Sequence, residues 1–153
     1  MDHSYKAAEL FLGGHNCAQA IVVAFSDVTG LESAFAAKLS SSFGGGIGRL
    51  REVCGAVSGM VMVAGLLYGY DDPGETDSRK KEHYQRVQEL AEKFREEIGS
   101  IICREILKNP PSDPNPTPRT AEFYKTRPCA QMVMTAARIL DQYIAEHPVE
   151  KSV

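Results

Sequence analysis

Four cysteines are the residues of this sequence best suited to chemistry. They are Cys17, Cys54, Cys103 and Cys129, which stand far apart along the chain. A deprotonated thiol attacks disulfides and binds soft metal ions. No Cys-x-x-Cys pair occurs, so neither a thioredoxin-type dithiol nor a zinc knuckle is formed locally. A site made from these thiols therefore has to be assembled by the fold.

The cysteines are predicted near helix starts. Cys17, Cys54 and Cys129 each fall at the N-terminus of a predicted helix, and Cys103 falls in the first turn of a shorter helix at 101–107. The unpaired amide N–H groups and the positive end of the helix dipole favour a thiolate over a thiol. The positions therefore predict lowered thiol pKa values.

Cys54 is the expected centre of this chemistry. It follows a glycine-rich loop at 44–48, which lacks the Lys-Ser/Thr pair of a P-loop and is interpreted as a hinge or packing turn. After it, Gly55, Ala56 and Gly59 leave room for an incoming sulfur or cluster. We predict that Cys54 is the reactive thiol and that at least one of the other three cysteines converges on it.

The elements that must position these residues are helical. Apolar residues recur at helical spacing, and no stretch alternates convincingly between apolar and polar residues. The sequence predicts one all-α domain over residues 1–153, a bundle of about five to seven helices around the apolar, glycine-containing helix. Five prolines between 109 and 120 predict an extended loop. Helices are expected at 4–12, 16–30, 32–42, 54–68, 76–98, 101–107 and 128–144.

Charge and hydropathy limit the partners. The formal net charge of −3 offers no field that attracts nucleic acid. The uncharged run at 53–70 is slightly short for a membrane span and contains four glycines. We therefore interpret it as a central helix that is surrounded by its neighbours. No secretory signal is evident at the N-terminus, so a cytoplasmic location is expected.

The cysteine pattern resembles that of a known family. A cysteine in the second helix, then Cys54-Gly55-Ala56-x-x-Gly59, then two single cysteines downstream, is similar to the C_GCAxxG_C_C family. These are small proteins with four characteristic cysteines and a CGAxxG motif, and a redox role is ascribed to them from those cysteines. The resemblance implies that the four cysteines act together, and that the source is prokaryotic.

Three functions stay open at this point. The first is thiol–disulfide exchange or electron transfer, with a redox partner protein or a small-molecule electron donor and no cofactor. The second is an iron–sulfur cluster or a metal ion held by Cys17, Cys54, Cys103 and Cys129. The third is a helical interaction module in which the cysteines are ordinary buried residues. The glycine pairs of the central helix also suit a subunit contact, so a homodimer is plausible.

Overall fold

The computed structural model describes residues 2–149 and is all-α, as predicted. An isolated bridge between Val53 and Ile102 is the only β-type pairing in this part of the chain. Six helices have eight or more residues, and α3, α7 and α8 are short. The helices are α1 Ser4–Leu12, α2 Cys17–Ala24, α3 Ser26–Thr29, α4 Ser33–Ser40, α5 Gly55–Tyr68, α6 Asp77–Ile98, α7 Cys103–Ile106, α8 Ala121–Thr126 and α9 Cys129–Glu146.

Local capping signals explain where the main helices begin. The Asn16 side chain accepts a hydrogen bond from the Gln19 amide, and the Gln19 side chain accepts one from the Asn16 amide. This reciprocal capping box fixes the start of α2. Thr76 caps α6 with a single bond, in which its side-chain oxygen accepts from the amide of Arg79. The predicted starts of both helices are thus confirmed.

The helices differ from the sequence prediction at several places, and the helix expected at 101–107 is shorter, at Cys103–Ile106. The helix expected at 16–30 is broken at Phe25, whose backbone leaves the helical region, so α2 and α3 form instead. The helix expected at 32–42 ends at Ser40 and continues as a single 3₁₀ turn over Ser41–Phe43. Helix α8 was not predicted, and it begins where Thr120 accepts a hydrogen bond from the amide of Phe123.

The core is built around α2 and α5. Helix α2 packs against α1, α4, α5 and α9, and α5 also packs against α6 and α9. The first ten residues of α5 include eight buried ones, which agrees with the prediction of a central apolar helix. Its C-terminal end is more open, and Leu66 is half exposed. The two helices together therefore form the centre of the bundle.

Helix α6 covers the core from outside. Only Leu90 and Phe94 are buried along its 22 residues, and its exposed face carries charges such as the ion pair between Glu89 and Lys93, 3.3 Å apart. Such exposed pairs contribute little, ~0.3–0.5 kcal/mol each. Among residues 2–149, none of the helices combines the length and apolar character needed to cross a bilayer.

A buried histidine ties the N-terminus to α9. His3 is 3% exposed, its Nδ1 lies 2.6 Å from Asp141 Oδ1, and its Nε2 lies 2.9 Å from Asp27 Oδ1. The imidazole ring also stacks on Phe25, with ring centroids 4.1 Å apart. One side chain therefore joins α1, α3 and α9.

We expect the His3→Ala substitution to lower the free energy of unfolding by about 2 kcal/mol, because two carboxylates lose their partner and a cavity opens beside Phe25. Urea denaturation measures the effect. The control is Tyr5→Ala in the adjoining helix α1, where the side chain is 69% exposed and a change within ~0.5 kcal/mol is expected. Equal losses in the two variants would contradict a structural role for the histidine.

Candidate functional site

Two of the cysteines are brought together by a short backbone pairing. The bridge between Val53 and Ile102 is antiparallel, and the Cys103 amide donates to the carbonyl of Glu52 at 2.6 Å. Cys54, the N-cap of α5, and Cys103, the first residue of α7, each follow directly after a bridged residue. Cys54 and Cys103 consequently lie at neighbouring helix starts although 49 positions separate them.

All four cysteines stand at helix starts and face one small cavity. Cys54 is the N-cap residue of α5, and the other three are the first residues of α2, α7 and α9. We call the space between them the thiol cavity; its volume is about 30 Å³. All four are free thiols. The thiol cavity is lined by Cys17, Cys54, Cys103, Cys129, Gly45, Gly46, Arg51, Gly55, Ile106, Leu107 and Met132.

A larger cleft of about 340 Å³ leads to two of these thiols. Cys17 and Cys129 line it together with four arginines, and we call it the arginine cleft. Glycines of the 44–48 loop form one wall, and residues 114–117 of the proline-rich segment form another. Cys54 and Cys103 line the thiol cavity but not this cleft, and we call them the deeper pair with respect to the cleft. The arginines are Arg49, Arg51, Arg119 and Arg127.

Cys129 has the most acidic thiol of the site. A hydrogen bond from Cys17 lowers the pKa of Cys129 to about 7, and the guanidinium groups of Arg127, Arg119 and Arg51 act in the same direction against the opposing effect of burial. The same hydrogen bond, together with burial, raises the pKa of Cys17 well above its usual value. The opposite pKa directions thus favour Cys129 as the thiolate and Cys17 as its proton donor.

Burial governs the deeper thiols. It raises the pKa of Cys54 to about 12, although the backbone amides of Ala56 and Val57 at the start of α5 work against the increase. Burial also raises the pKa of Cys103, whose sulfur lies 3.7 Å from Arg51 Nη1. The helix-start effect expected from the sequence is therefore present at Cys54, but desolvation outweighs it. The pKa directions at Cys17, Cys54 and Cys103 are therefore opposite to the ones predicted, and the pKa is lowered, as predicted, at Cys129.

The small residues that follow Cys54 mainly serve helix packing. A Cβ atom at Gly55 would lie 3.1 Å from the amide nitrogen of Ala18, and one at Gly59 would lie 2.9 Å from its carbonyl oxygen. Helix α2 therefore occupies the space that these glycines leave. Gly55 also lines the thiol cavity, whereas Ala56 and Gly59 do not. Ala56 is fully buried in the core.

The arginines were not singled out in the sequence, because distant contacts position them. Arg49 donates to the carbonyl of Asp113 and to the hydroxyl of Thr117, both at 2.8 Å, and Arg51 donates to the carbonyl of Pro111 at 3.0 Å. These bonds hold the proline-rich segment over the glycine-rich loop. The signal in the sequence that could have indicated these arginines is the charged stretch directly after the glycines.

The loop that carries these arginines has an unusual backbone. Ile47, Arg49 and Arg51 have φ angles of 67°, 69° and 63°, in the left-handed region that residues with side chains rarely adopt. Each such residue costs of order 1 kcal/mol and persists only where its surroundings impose it. Gly46, at φ 73°, lies against the backbone of Arg51, where a Cβ would meet atoms at 2.8 Å or less. Strain of this kind concentrates at binding sites.

The sequence also left open a metal ion or cluster held by all four cysteines. In the described range 2–149, no group of three or more His, Cys, Asp or Glu side chains is arranged so that it could hold a metal ion.

A comparison with known protein families shows which family has this cysteine pattern. The sequence model of the C_GCAxxG_C_C family matches residues 15–143, a stretch that includes all four cysteines. The chain belongs to the C_GCAxxG_C_C family. The description of that family reads "putative redox-active protein", and the resemblance seen in the CGAxxG motif is thereby confirmed. The comparisons with curated proteins and with solved structures found no match.

Proposed function

We propose that this protein carries out thiol–disulfide exchange. Cys129 is the nucleophile, and Cys17 is the thiol that resolves the mixed disulfide. The observation that carries the proposal is the pairing of these two thiols on the wall of an open cleft. The family description, a redox-active protein, supports the same class of chemistry. Cys54 and Cys103 form the deeper part of the site, next to this pair.

The electrostatics of the cleft suit the first step. The attacking species in exchange is the thiolate, and the reaction is fastest for a thiol whose pKa lies near the ambient pH. The hydrogen bond from Cys17 gives Cys129 a pKa of about 7, whereas burial gives Cys54 a pKa of about 12. At neutral pH, Cys129 is therefore the better nucleophile of the two.

The bonds and electrons of the reaction balance when Cys129 and Cys17 act in turn. The Cys129 thiolate attacks one sulfur of a disulfide, whose S–S bond breaks, and one thiolate leaves and takes up a proton. Cys17, deprotonated in turn, attacks the Cys129 sulfur of the mixed disulfide and releases the second thiol. The protein dithiol loses two electrons and becomes a disulfide, and the substrate gains them. An external dithiol reductant restores the starting state.

A trapping experiment tests these roles. The reduced protein is treated with hydroxyethyl disulfide under anaerobic conditions, and peptides are mapped by mass spectrometry without reduction. We expect a Cys17–Cys129 disulfide in the wild-type protein. We expect a stable mixed disulfide on Cys129 in the Cys17→Ser variant, because the resolving thiol is absent, and no modification at Cys17 in Cys129→Ser.

The deeper cysteines give the decisive comparison. The Cys54→Ser and Cys103→Ser variants should still form the Cys17–Cys129 disulfide, since neither residue lines the arginine cleft. If the bridge is lost in either folded variant, or if the first adduct appears on Cys54, the exchange runs through the deeper thiols and the proposed roles are wrong. Far-ultraviolet circular dichroism of each variant verifies that it is folded.

A further inference from the structure

The arginine cleft has a strong imbalance of charge. Its lining within residues 2–149 includes four arginines and no aspartate or glutamate. One carboxylate outside the lining, that of Asp113, acts on Arg49. One carboxylate against four guanidinium groups leaves an excess of positive charge beside the Cys129 thiol. A cleft of this kind concentrates anions.

Arg51 supplies an unused hydrogen-bond donor at this place. Its side chain is buried, 4% exposed, and lines both the arginine cleft and the thiol cavity. Nε donates to Pro111 and Nη1 approaches Cys103, but Nη2 has no partner in the described part of the chain. A buried, charged donor without an acceptor is costly, since native proteins pair nearly all such groups. This unpaired donor fits an acceptor that a ligand supplies.

Arg127 offers a second charge at the same cleft. Its guanidinium lies 5.5 Å from the ring centroid of Phe123, and its charge lowers the pKa of the nearby Cys129 thiol. By contrast, Arg119 donates to the carbonyls of Phe11 and His15, and so it serves mainly to join the proline-rich segment to α1. Arg51 and Arg127 are therefore the two groups best placed to receive an anion.

We infer that the arginine cleft binds a small disulfide that carries negatively charged groups, with Arg51 and Arg127 as its anchors. The inference rests on the proposed exchange reaction and adds its substrate class. The cleft, at about 340 Å³, lies at the lower end of the sizes usual for small-molecule sites. Phe11 and Phe123 provide apolar wall for the uncharged part of the substrate. The anchored anion holds the disulfide beside the Cys129 sulfur.

The bonds change as in the general reaction. Cys129 attacks the nearer sulfur of the bound disulfide, one anionic thiolate leaves and is protonated, and the other half stays attached as a mixed disulfide. Attack by Cys17 on the Cys129 sulfur then releases the second anionic thiol. The substrate is reduced by two electrons, the protein is oxidised by two, and an external dithiol reduces the protein again.

Three disulfides of similar size and different charge test the inference. Dithiodipropionate is anionic, hydroxyethyl disulfide is neutral and cystamine is cationic. The second-order rate of oxidation of the Cys17–Cys129 pair is measured for each and divided by the rate for the urea-unfolded protein, which removes differences in intrinsic reactivity. We expect the normalised rate to be about tenfold or more higher for the anionic than for the cationic compound. Salt at about 1 M should remove most of this preference.

Substitutions of Arg127 and Arg51 test whether these two residues cause the preference for the anionic disulfide. Arg127→Gln and Arg51→Gln should each reduce the ratio of the anionic to the cationic oxidation rate. Both substitutions also change the pKa of Cys129. The ratio does not depend on that change, because all three compounds react with the same thiolate. If Arg51→Gln does not fold, Arg51→Lys, which keeps the positive charge, is measured in its place. The matched control is Arg95→Gln on α6, which lies outside the cleft and should leave the ratio unchanged.

The two proposals fail in different ways. Equal normalised rates for the three compounds, or a ratio unaffected by Arg127→Gln, would overturn the anionic substrate and leave the exchange reaction standing. If none of the disulfides oxidises the pair, the exchange reaction is wrong. In that case the normalised rates of Cys129 alkylation by iodoacetate and iodoacetamide still report on the anion site, and equal rates would overturn it.

Discussion

Iodoacetamide is expected to alkylate Cys129 about a hundredfold or more faster than Cys54 at pH 7 in the folded protein. A thiol with a pKa of about 7 is half ionised at this pH, whereas one with a pKa of about 12 is roughly one part in 100,000 ionised. A more basic thiolate is intrinsically more nucleophilic, which recovers part of this difference but not most of it. Quantitative peptide mass spectrometry gives the rate at each cysteine.

The directions of the pKa shifts predict how the alkylation rates of Cys129 and Cys54 change with pH. Because the pKa of Cys129 is lowered, its alkylation rate should rise from low pH and level off above pH 7, while the rate at Cys54 should still be rising well above pH 9. In Cys17→Ala the hydrogen bond to the thiolate is lost, so the midpoint for Cys129 should move to higher pH.

Two results would contradict this account. Faster labelling of Cys54 than of Cys129 would restore the expectation drawn from the sequence, in which the central thiol is the reactive one. An unchanged midpoint in Cys17→Ala would show that the arginines alone set the acidity of Cys129. The urea-unfolded protein is the control, since its four cysteines should titrate alike.

Local signals account for the part of the fold that was predictable. Asn16 and Thr76 cap helices through bonds that span three residues, and the prolines between 109 and 120 exclude regular structure by themselves. The placement of cysteines at helix starts follows from the same local rules. The break at Phe25 was not predictable in this way, because apolar spacing continues through it.

The acidity of each thiol could not be read from the sequence. A helix start favours the thiolate at Cys54 and at Cys129 alike, but only the structure shows that Cys54 is buried deeply and that Cys129 faces Cys17 and three arginines. Arg51 reaches the site through contacts with Pro111 and Cys103, which lie 60 and 52 positions away. Long-range packing therefore decides which thiol reacts, while short-range signals decide only which thiols are candidates.

The contact between α2 and α5 helps to position Cys17, the first residue of α2, and Gly59 lies at this contact. A Cβ there would lie 2.8 Å from the Cβ of Ile21 and 2.9 Å from the carbonyl oxygen of Ala18, closer than real Cβ atoms come. Because a backbone carbonyl cannot turn aside, α2 has to move. We expect Gly59→Ala to lower the free energy of unfolding by about 3 kcal/mol, the upper end for overpacked cores, as measured by urea denaturation.

Gly65 supplies the matched control in the same helix. A Cβ at this position would meet no neighbouring group within 4 Å in the described structure, so Gly65→Ala should raise stability by ~0.5–1 kcal/mol through helix propensity alone. Cys17 begins α2, and its Cβ lies 3.1 Å from a Cβ placed on Gly55, so a displaced α2 also displaces the proton donor of Cys129. Folded Gly59→Ala protein should therefore show a raised alkylation midpoint at Cys129, and Gly65→Ala should not. Stabilisation by both substitutions would mean that the two helices are not held in close contact by glycine.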